Sequence, residues 1–298
     1  MTCRSAVVLG GAGQVGGLFV RLLQRHLLVT VVDRLPAPSV STVVGDVSEP
    51  SPAALEVIGA ADIIVVALPE EVALSALEAC APVLRTGVLV VDTLSVKESV
   101  ASVLRAMTAA RGIEALSLNP MFAPALGFRD HAVAAVPVEV GRRARWLLEL
   151  ITGEGARVVE LSAQEHDRVT AVVQAATHAS VLALGKVTAE LGISIDRIVD
   201  LAPPPHRTLL ALLARITGAN PEVYWDVQAS NRAAAAARTA LAGALVDLDA
   251  LVTAGGRGEF GEWLGRLGAW AAPRGEALRA QSVRQLEALN PDPRESSA

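Results

Sequence analysis

The feature that most constrains the fold is a glycine-rich turn close to the start of the 298-residue chain. Residues Val7–Phe19 read VVLGGAGQVGGLF, in which Gly11, Gly13 and Gly16 form a G-x-G-x-x-G pattern. The pattern follows an apolar run and opens a helical stretch, which is the context it requires in a dinucleotide-binding βαβ unit. The first glycine permits a tight turn, the second lets the backbone approach a pyrophosphate, and the third lets helix and strand pack closely.

Residues beside these glycines sharpen the cofactor prediction. Gln14 and Val15 lie inside the glycine pattern, just before the predicted helix Gly16–His26, whose N-terminal N–H groups favour an anion. Asp33 ends the next predicted strand, and a carboxylate there can accept hydrogen bonds from both adenine-ribose hydroxyls and repel a 2′-phosphate. The pattern therefore favours NAD over NADP. Arg34 weakens that preference, because an arginine can neutralise a phosphate or stack on adenine.

The first half of the sequence alternates short β-branched runs with helical stretches. Such alternation predicts a mostly parallel sheet with helices on both faces. The eight candidate strands are Ala6–Leu9, Leu28–Val32, Thr42–Val44, Ile63–Ala67, Val88–Val91, Ala115–Leu118, Ala132–Val136 and Ala156–Val159. Leu68 and Pro69 follow the fourth of these, and loops at the carboxyl ends of such strands line the cofactor crevice. We therefore expect both residues at the cofactor.

After about Ser162 the strand signal disappears and long helical patterns follow. The predicted helices are Ala163–Leu191, Ile195–Leu201, Arg207–Ile216, Pro221–Ala254 and Gly258–Leu289. The sequence thus predicts an α/β fold, with a Rossmann dinucleotide-binding domain over residues 1–161, an all-helical domain over 162–289 and a frayed tail over 290–298. The last two helices exceed what one small domain easily buries, so we expect a helix-exchanging homodimer.

The apolar composition raises the question of a membrane. Hydrophobic residues make up 52% of the chain and the mean hydropathy is +0.43. The longest charge-free stretch of interest, Val169–Gly185, contains several polar residues and is too short to span a bilayer. We expect it to form a buried helix at the centre of a helical domain or of a dimer.

Charge and cysteine content exclude other classes of protein. A net charge of −5 argues against nucleic acid or an acidic membrane surface as a partner. Cys3 and Cys80 show no metal-ligand spacing and predict no disulfide framework, which suits a reducing cytoplasm. We expect no metal site, a cytoplasmic location and a small-molecule substrate.

Five segments, in this order, resemble the prephenate dehydrogenase family. They are Gly10–Phe19 (GGAGQVGGLF), Asp92–Lys97 (DTLSVK), Leu118–Pro124 (LNPMFAP), Glu165–His178 (EHDRVTAVVQAATH) and His206–Asp226 (HRTLLALLARITGANPEVYWD). The resemblance implies a Rossmann domain, a helical dimerisation domain and an active site between them. It also implies that NAD takes hydride from C4 of a cyclohexadiene while the ring carboxylate leaves as carbon dioxide.

The resemblance assigns roles to two arginines and two histidines. Arg215 matches the family's carboxylate-binding arginine, and Arg207 matches a second arginine near the substrate. His178 is placed in the substrate pocket, whereas His166 is given a structural role at a domain junction. From the residues alone, the spacing favours ordinary surface arginines, and a lone histidine on an apolar helix is more often a core residue than a catalyst.

A second segment carries two more expected site residues. Ser95 matches a serine that reaches the reacting centre and the cofactor, and Lys97 of the same S-V-K motif is expected at the cofactor. The alternative for Ser95 is the N-cap of the helix that follows, since serine is a favoured N-cap residue. Both roles can coexist at the open end of the crevice.

One departure from the family pattern bears on the substrate. The family's H-P-M-F motif has Asn119 in the position of its histidine, which accepts the proton of the C4 hydroxyl. An amide cannot act as that base. A C4 amino group would not need one, because its nitrogen lone pair can expel hydride directly, and the Asn119 oxygen could accept an N–H. We therefore expect 4-amino-4-deoxyprephenate as substrate, in a route to p-aminophenylalanine and antibiotics.

Two alternatives remain open from the sequence. The first is a prephenate dehydrogenase in which His178 or a water replaces the missing base. The second is a non-catalytic NAD-binding regulator, which would have no need of carboxylate-binding arginines.

Overall fold

The first half of the chain folds into one eight-stranded sheet. The computed structural model describes residues 3–37 and 40–288. Its strands are β1 Ser5–Leu9, β2 Leu28–Asp33, β3 Ser41–Val44, β4 Ile63–Val66, β5 Leu89–Asp92, β6 Glu114–Pro120, β7 Ala132–Glu139 and β8 Arg157–Glu160. All eight predicted strands are present, with ends displaced by a few residues at most.

The strand order is β3-β2-β1-β4-β5-β6-β7-β8. Strands β1 to β6 are parallel, whereas β7 pairs antiparallel with β6 and β8 runs parallel to β7. The order reverses at β1, whose neighbours are β2 and β4. Ligands of doubly wound sheets bind at the carboxyl edge beside such a reversal.

Helices cover both faces of the sheet. They are α1 Gln14–Leu23, α2 Pro52–Ala60, α3 Glu70–Cys80, α4 Glu98–Arg111 and α5 Arg142–Gly153. Successive side chains of a strand point to opposite faces, so Ala6 and Val8 of β1 pack in one core cluster and Val7 and Leu9 in the other. The first cluster includes α1 and α5, and the second includes α2, α3 and α4.

The second half is helical, as the sequence predicts, but with more breaks. The helices are α6 Ala163–Thr170, α7 Thr177–Glu190, α8 Ile195–Leu201, α9 Pro204–Thr217, α10 Pro221–Ala229, α11 Ala234–Ala254, α12 Arg257–Ala271 and α13 Gly275–Ala288. A π-helical segment, Ala171–Ala176, joins α6 to α7. Residues 289–298, including the predicted frayed tail, lie outside the described residues.

Two predicted long helices are in fact interrupted. The stretch Pro221–Ala254 breaks between α10 and α11, where Asn231 is buried and its amide group donates to the Asp167 carbonyl at 2.8 Å and accepts the Ala233 N–H at 2.9 Å. Asparagine side chains compete with helical hydrogen bonds in this way. The last predicted helix breaks at Pro273, since proline lacks an N–H and clashes with the preceding turn.

The chain divides into two compact units. One comprises residues up to 171 together with 222–233, and the other comprises 172–221 and the residues from 234 onward. Helices α6 and α10 therefore belong to the unit that contains the sheet, although sequence patterns group them with the helical half.

The charge-free stretch Val169–Gly185 is only partly buried within the chain, since Ala171, Ala175 and Val181 are buried. Val169, Val172 and Val173 are 44%, 61% and 50% exposed. A single chain therefore buries only part of the expected helix, because these three apolar side chains face solvent. The dimer alternative stays a prediction. No helix in the described part of the chain combines the length and the apolar character that crossing a bilayer requires.

A buried ion pair links the ends of β5 and β6. The Lys97 ammonium group donates to the Asp92 carboxylate at 2.7 Å and to the Leu118 carbonyl at 2.8 Å. Both charged side chains are 0% exposed. Burial lowers the pKa of Lys97, and the Asp92 carboxylate opposes that change. Removal of one partner would leave the other as an uncompensated buried charge.

We expect Lys97→Met to lower the free energy of unfolding by about 3–5 kcal/mol, because it leaves the Asp92 carboxylate unpaired. The double variant Lys97→Met/Asp92→Asn should recover much of that loss, since its buried amide is neutral. Urea denaturation followed by circular dichroism measures both. Equal losses in the single and double variants would contradict this account.

Candidate active site

The glycine turn after β1 is built by close backbone approaches. Gly10 has φ +80°, and a Cβ there would lie 2.2 Å from the Ala67 carbonyl oxygen. A Cβ on Gly16 would lie 2.1 Å from the Gly10 carbonyl oxygen, and one on Gly11 would lie 2.5 Å from a methyl of Val31. Only glycine fits at these positions, so strand, turn and helix pack at backbone distance.

The same turn leaves room for a ligand above helix α1. Ala12, Gly13 and Gln14 are exposed, and α1 begins at Gln14 with no side chain capping its N-terminus. The first N–H groups of a helix have no intrahelical partner, so those of Gln14 and Val15 can bind a pyrophosphate. This uncapped, glycine-lined cradle fits a dinucleotide.

Asp33 and Arg34 define the ribose end of the cradle. The Asp33 carboxylate accepts the Ala12 N–H at 2.9 Å and the Leu35 N–H at 3.0 Å, which fixes it beside the glycine turn. Arg34 instead forms an ion pair with Asp46 at 2.6 Å. Hydrogen bonds from Ser48, and then from Arg34, lower the pKa of Asp46 to about 2. Arg34 is therefore engaged with a carboxylate, which weakens the case for binding a 2′-phosphate.

Leu68 and Pro69 lie where the sequence predicts, in the loop between β4 and α3. Leu68 touches the glycine turn, since its Cδ2 lies 2.9 Å from the position of a Cβ on Gly10. Pro69 is exposed and precedes α3. Both therefore lie at the carboxyl edge of the sheet, beside the cradle.

Ser95 does not cap helix α4. The N-cap residue is Lys97, which makes no capping bond through its side chain. The Asp167 carboxylate accepts the N–H groups of Lys97 at 2.8 Å and Glu98 at 2.9 Å, so a residue of α6 caps α4. The capping alternative for Ser95 is therefore wrong. Ser95 is half-buried in the loop after β5, and its hydroxyl makes no hydrogen bond within the described residues.

Lys97 contributes to the fold in a way that its motif does not predict. Its ammonium group is enclosed between Asp92 and Leu118, so its side chain is committed to contacts inside the protein. This position favours a role in holding the S-V-K loop over direct contact with the cofactor.

Asn119, at the end of β6, begins a chain of buried polar contacts. Its side-chain nitrogen lies 3.1 Å from Nε2 of His166, and Nδ1 of His166 lies 2.8 Å from the Asp167 carboxylate. Asn119 is 4% exposed and His166 is 0% exposed. Sequence reasoning gave His166 a structural role but missed its contact with Asn119. The only available signal was the E-H-D motif itself.

The remaining predicted residues lie on the helical unit. His178 is half-buried on α7, whereas Arg207 and Arg215 are exposed on α9. Helices α7 and α9 pack closely at Gly185. A Cβ on this residue would lie 2.6 Å from a methyl of Leu213 on α9. Burial lowers the pKa of His178, and the nearby Arg215 guanidinium lowers it further. The structure thus brings His178 and Arg215 together.

Replacement of Arg215 should change the titration of His178. We expect Arg215→Gln to raise the His178 pKa, because the guanidinium no longer penalises the imidazolium, while burial keeps it below the ordinary value. Titration by NMR of the His178 ring protons in the free protein measures this. Arg207→Gln on the same helix is the matched control and should leave the pKa unchanged. An unmoved pKa in Arg215→Gln would contradict the contact.

No group of three or more His, Cys, Asp or Glu side chains suited to a metal ion occurs in the residues that the structure describes. The polar groups at the carboxyl edge are instead an amide, a hydroxyl and uncapped backbone N–H groups. That set suits a dinucleotide and an organic substrate.

Two domain families match consecutive parts of the chain. Residues 18–159 match the nucleotide-binding domain of prephenate dehydrogenase, and residues 162–266 match its dimerisation domain. Among solved structures, prephenate dehydrogenase from A. aeolicus, in complex with hydroxyphenyl propionate and NAD+, has a TM-score of 0.68 at 16% identity and covers 92% of this chain and 99% of its own. Arogenate dehydrogenase from Synechocystis has a TM-score of 0.64 at 19% identity, over 90% of this chain and 99% of its own. These likenesses show the fold.

Curated relatives agree with these matches. A protein of Streptomyces pristinaespiralis named 4-amino-4-deoxyprephenate dehydrogenase is 46% identical over 288 residues, which is 95% of this chain and 97% of that protein. A probable arogenate/prephenate dehydrogenase of Methanocaldococcus jannaschii is 28% identical over 231 residues. The aligned residues are 75% of this chain and 51% of that longer protein. The chain therefore belongs to the prephenate dehydrogenase family, as an oxidoreductase with an NAD-binding Rossmann domain and a helical dimerisation domain.

Proposed function

We propose that this enzyme catalyses the NAD-dependent oxidative decarboxylation of 4-amino-4-deoxyprephenate to 4-aminophenylpyruvate. The observation that carries the proposal is Asn119, a non-basic side chain at the carboxyl edge of the sheet, in the position of the family's proton-accepting histidine. The 46% identical relative that bears the name of this activity supports the same substrate. The reaction leads toward p-aminophenylalanine, a building block of antibiotics.

The chemistry explains why a base is dispensable. The C4–H bond breaks as the nitrogen lone pair forms an iminium, and the bond to the ring carboxylate then breaks, with its electrons completing the aromatic ring. The products are an aniline and carbon dioxide. Bound NAD supplies the acceptor for the hydride from C4. A hydroxyl oxygen donates less strongly, so prephenate needs a base to remove its proton, and a positioned base contributes about 10²–10⁴ in rate.

The other site residues have complementary roles in this proposal. Arg215 and Arg207 bind the two substrate carboxylates, since guanidinium groups suit planar carboxylates. His178 lines the substrate pocket in its neutral form, which its lowered pKa favours. Ser95 offers a hydroxyl, which has no partner within the described residues, near the reacting centre. Asn119 hydrogen-bonds the C4 amino group.

The domain division and the assembly are part of the proposal. We assign residues 1–161 to the cofactor domain, 162–289 to the helical domain and 290–298 to a tail; the family matches support the first boundary, whereas residues 162–171 and 222–233 group with the sheet unit in the structure. A homodimer through the helical domain is supported by the name of the matched domain and by exposed apolar side chains of the helical unit. These include Leu191, Leu201, Val246, Leu267 and Trp270.

The free thiols Cys3 and Cys80 suit a cytoplasmic location.

Steady-state kinetics with both substrates tests the assigned reaction. We expect native kcat/KM to be higher for 4-amino-4-deoxyprephenate than for prephenate. Asn119→His should move that ratio toward prephenate by at least about tenfold, because it supplies the missing base. Asn119→Ala, which supplies no base, is the control and should not gain activity on prephenate. Faster turnover of prephenate by the native enzyme would overturn the substrate assignment, and NAD binding without turnover of either substrate would indicate a regulator.

Cofactor choice is tested at Asp33. We expect Asp33→Ser to weaken NAD binding by about 10-fold or more, because a hydrogen bond to a charged group contributes about 1.5–3 kcal/mol. Binding of NADP should weaken less, since the variant no longer repels the 2′-phosphate. Isothermal titration calorimetry measures both. Arg34→Gln is the control and should leave NAD affinity nearly unchanged; a large loss there would instead assign adenine or phosphate binding to Arg34.

A further inference from the structure

The orientation of the Asn119 amide decides what this residue offers a substrate. An asparagine presents either its oxygen, an acceptor, or its NH₂ group, a donor. We propose that His166 and Asp167 act as a positioning pair, which holds the Asn119 amide with its oxygen toward the substrate and its NH₂ group toward His166. This inference rests on the proposed function for its effect on catalysis, but its structural part concerns the free enzyme.

The argument begins at Asp167, whose carboxylate is committed as an acceptor. It accepts the Lys97 and Glu98 N–H groups at 2.8 and 2.9 Å. These two groups form the N-terminus of α4, where the helix dipole favours a negative charge. The third contact of the carboxylate is Nδ1 of His166 at 2.8 Å. An ionised carboxylate only accepts hydrogen bonds, so Nδ1 of His166 carries a proton.

That proton, together with a neutral ring, makes the other ring nitrogen an acceptor. A neutral imidazole with its proton on Nδ1 has a lone pair on Nε2. Nε2 of His166 lies 3.1 Å from the side-chain nitrogen of Asn119. The Asn119 NH₂ group therefore donates to His166, and the reversed amide would place two acceptors against each other. A hydrogen-bonded second residue sets ring tautomers in metal sites by the same logic.

The Asn119 oxygen is then left for the substrate. Oδ1 makes no hydrogen bond within the described residues and is not among their fully enclosed, unpartnered polar atoms. Because β6 runs parallel to β5, Asn119 lies at the sheet edge that also carries the Ser95 loop. The free face of the amide at this edge is thus an acceptor.

An acceptor is the group that the proposed chemistry requires. The oxygen can take an N–H of the C4 amino group and leave the nitrogen lone pair free to expel hydride. A reversed amide would instead donate to that lone pair and hold back the electrons that form the iminium. His166 therefore supports the rate through Asn119, without touching the substrate, and we class it as a positioning residue.

The tautomer is read directly in the free enzyme. We expect ¹⁵N NMR of histidine-labelled native protein to show His166 protonated at Nδ1 and unprotonated at Nε2 at neutral pH, with a cross-peak from Nε2 to the Asn119 NH₂ protons. A proton on Nε2, in either the other neutral tautomer or the imidazolium, would overturn the inference. This measurement needs no substrate and no variant.

Two substitutions test the effect on catalysis. His166→Gln places an amide near the position that Nε2 of the ring occupied. This amide can donate or accept, so it no longer imposes one orientation on the Asn119 amide. His166→Leu offers Asn119 no hydrogen-bond partner. We expect kcat for the amino substrate to fall about 10-fold in His166→Gln and further in His166→Leu, with KM little changed, because the Asn119 amide is no longer held in the orientation that leaves its oxygen for the substrate. A merely structural role would lower thermal stability and leave kcat of the folded enzyme intact.

The two proposals fail in different ways. If native enzyme prefers the amino substrate but His166→Gln keeps its kcat, the positioning role is wrong and the proposed function stands. If native enzyme prefers prephenate, the proposed function is wrong whatever the tautomer shows. Should both variants fail to fold, the NMR measurement on native protein still decides the orientation.

Discussion

The Asp167 carboxylate organises the carboxyl edge of the sheet. The carboxylate caps α4 and lies in hydrogen-bond contact with the ring of His166. The backbone carbonyl of the same residue accepts a hydrogen bond from the side-chain amide of Asn231. The S-V-K loop and the break before α11 thus meet at Asp167, and the end of β6 is linked to it through His166. Loss of this carboxylate would remove the cap of α4 and the partner of His166 Nδ1. Because the carboxylate contacts two backbone N–H groups and the His166 ring at 2.8–2.9 Å, hydrogen bonds as well as packing fix the surrounding geometry.

A second buried charge works beside it. The Lys97 ammonium group joins the end of β5 to β6, and the same residue donates its N–H to Asp167. The loop that carries Ser95 is therefore held from both of its ends by charged groups that water does not reach. Functional side chains placed on such a scaffold keep their positions without a ligand, which reduces the ordering cost of binding.

Much of the fold follows from local pattern. Strands such as β4, with four buried β-branched residues, and the G-x-G-x-x-G turn are recognisable because burial and backbone approach demand those residues at those positions. The break at Asn231 is not, since its cause is a hydrogen bond to Asp167 that lies 64 positions away. The site divides in the same way. Asp33 and the glycine turn are local, whereas the contact of Asn119 with His166 joins residues 47 positions apart. Family resemblance supplied Asn119 as a residue of interest, but only the fold shows what lies behind it.

The lone pair of His166 has a consequence for how the family diversifies. Whichever side chain occupies position 119 must donate a hydrogen bond to this lone pair. An imidazole there would satisfy it with one ring N–H and turn the lone pair of its second nitrogen outward, as a base. The codons of asparagine and histidine differ only in their first base. A single transversion in the gene could therefore carry an ancestor from hydroxyl to amine chemistry, while the pair behind position 119 stayed as it was.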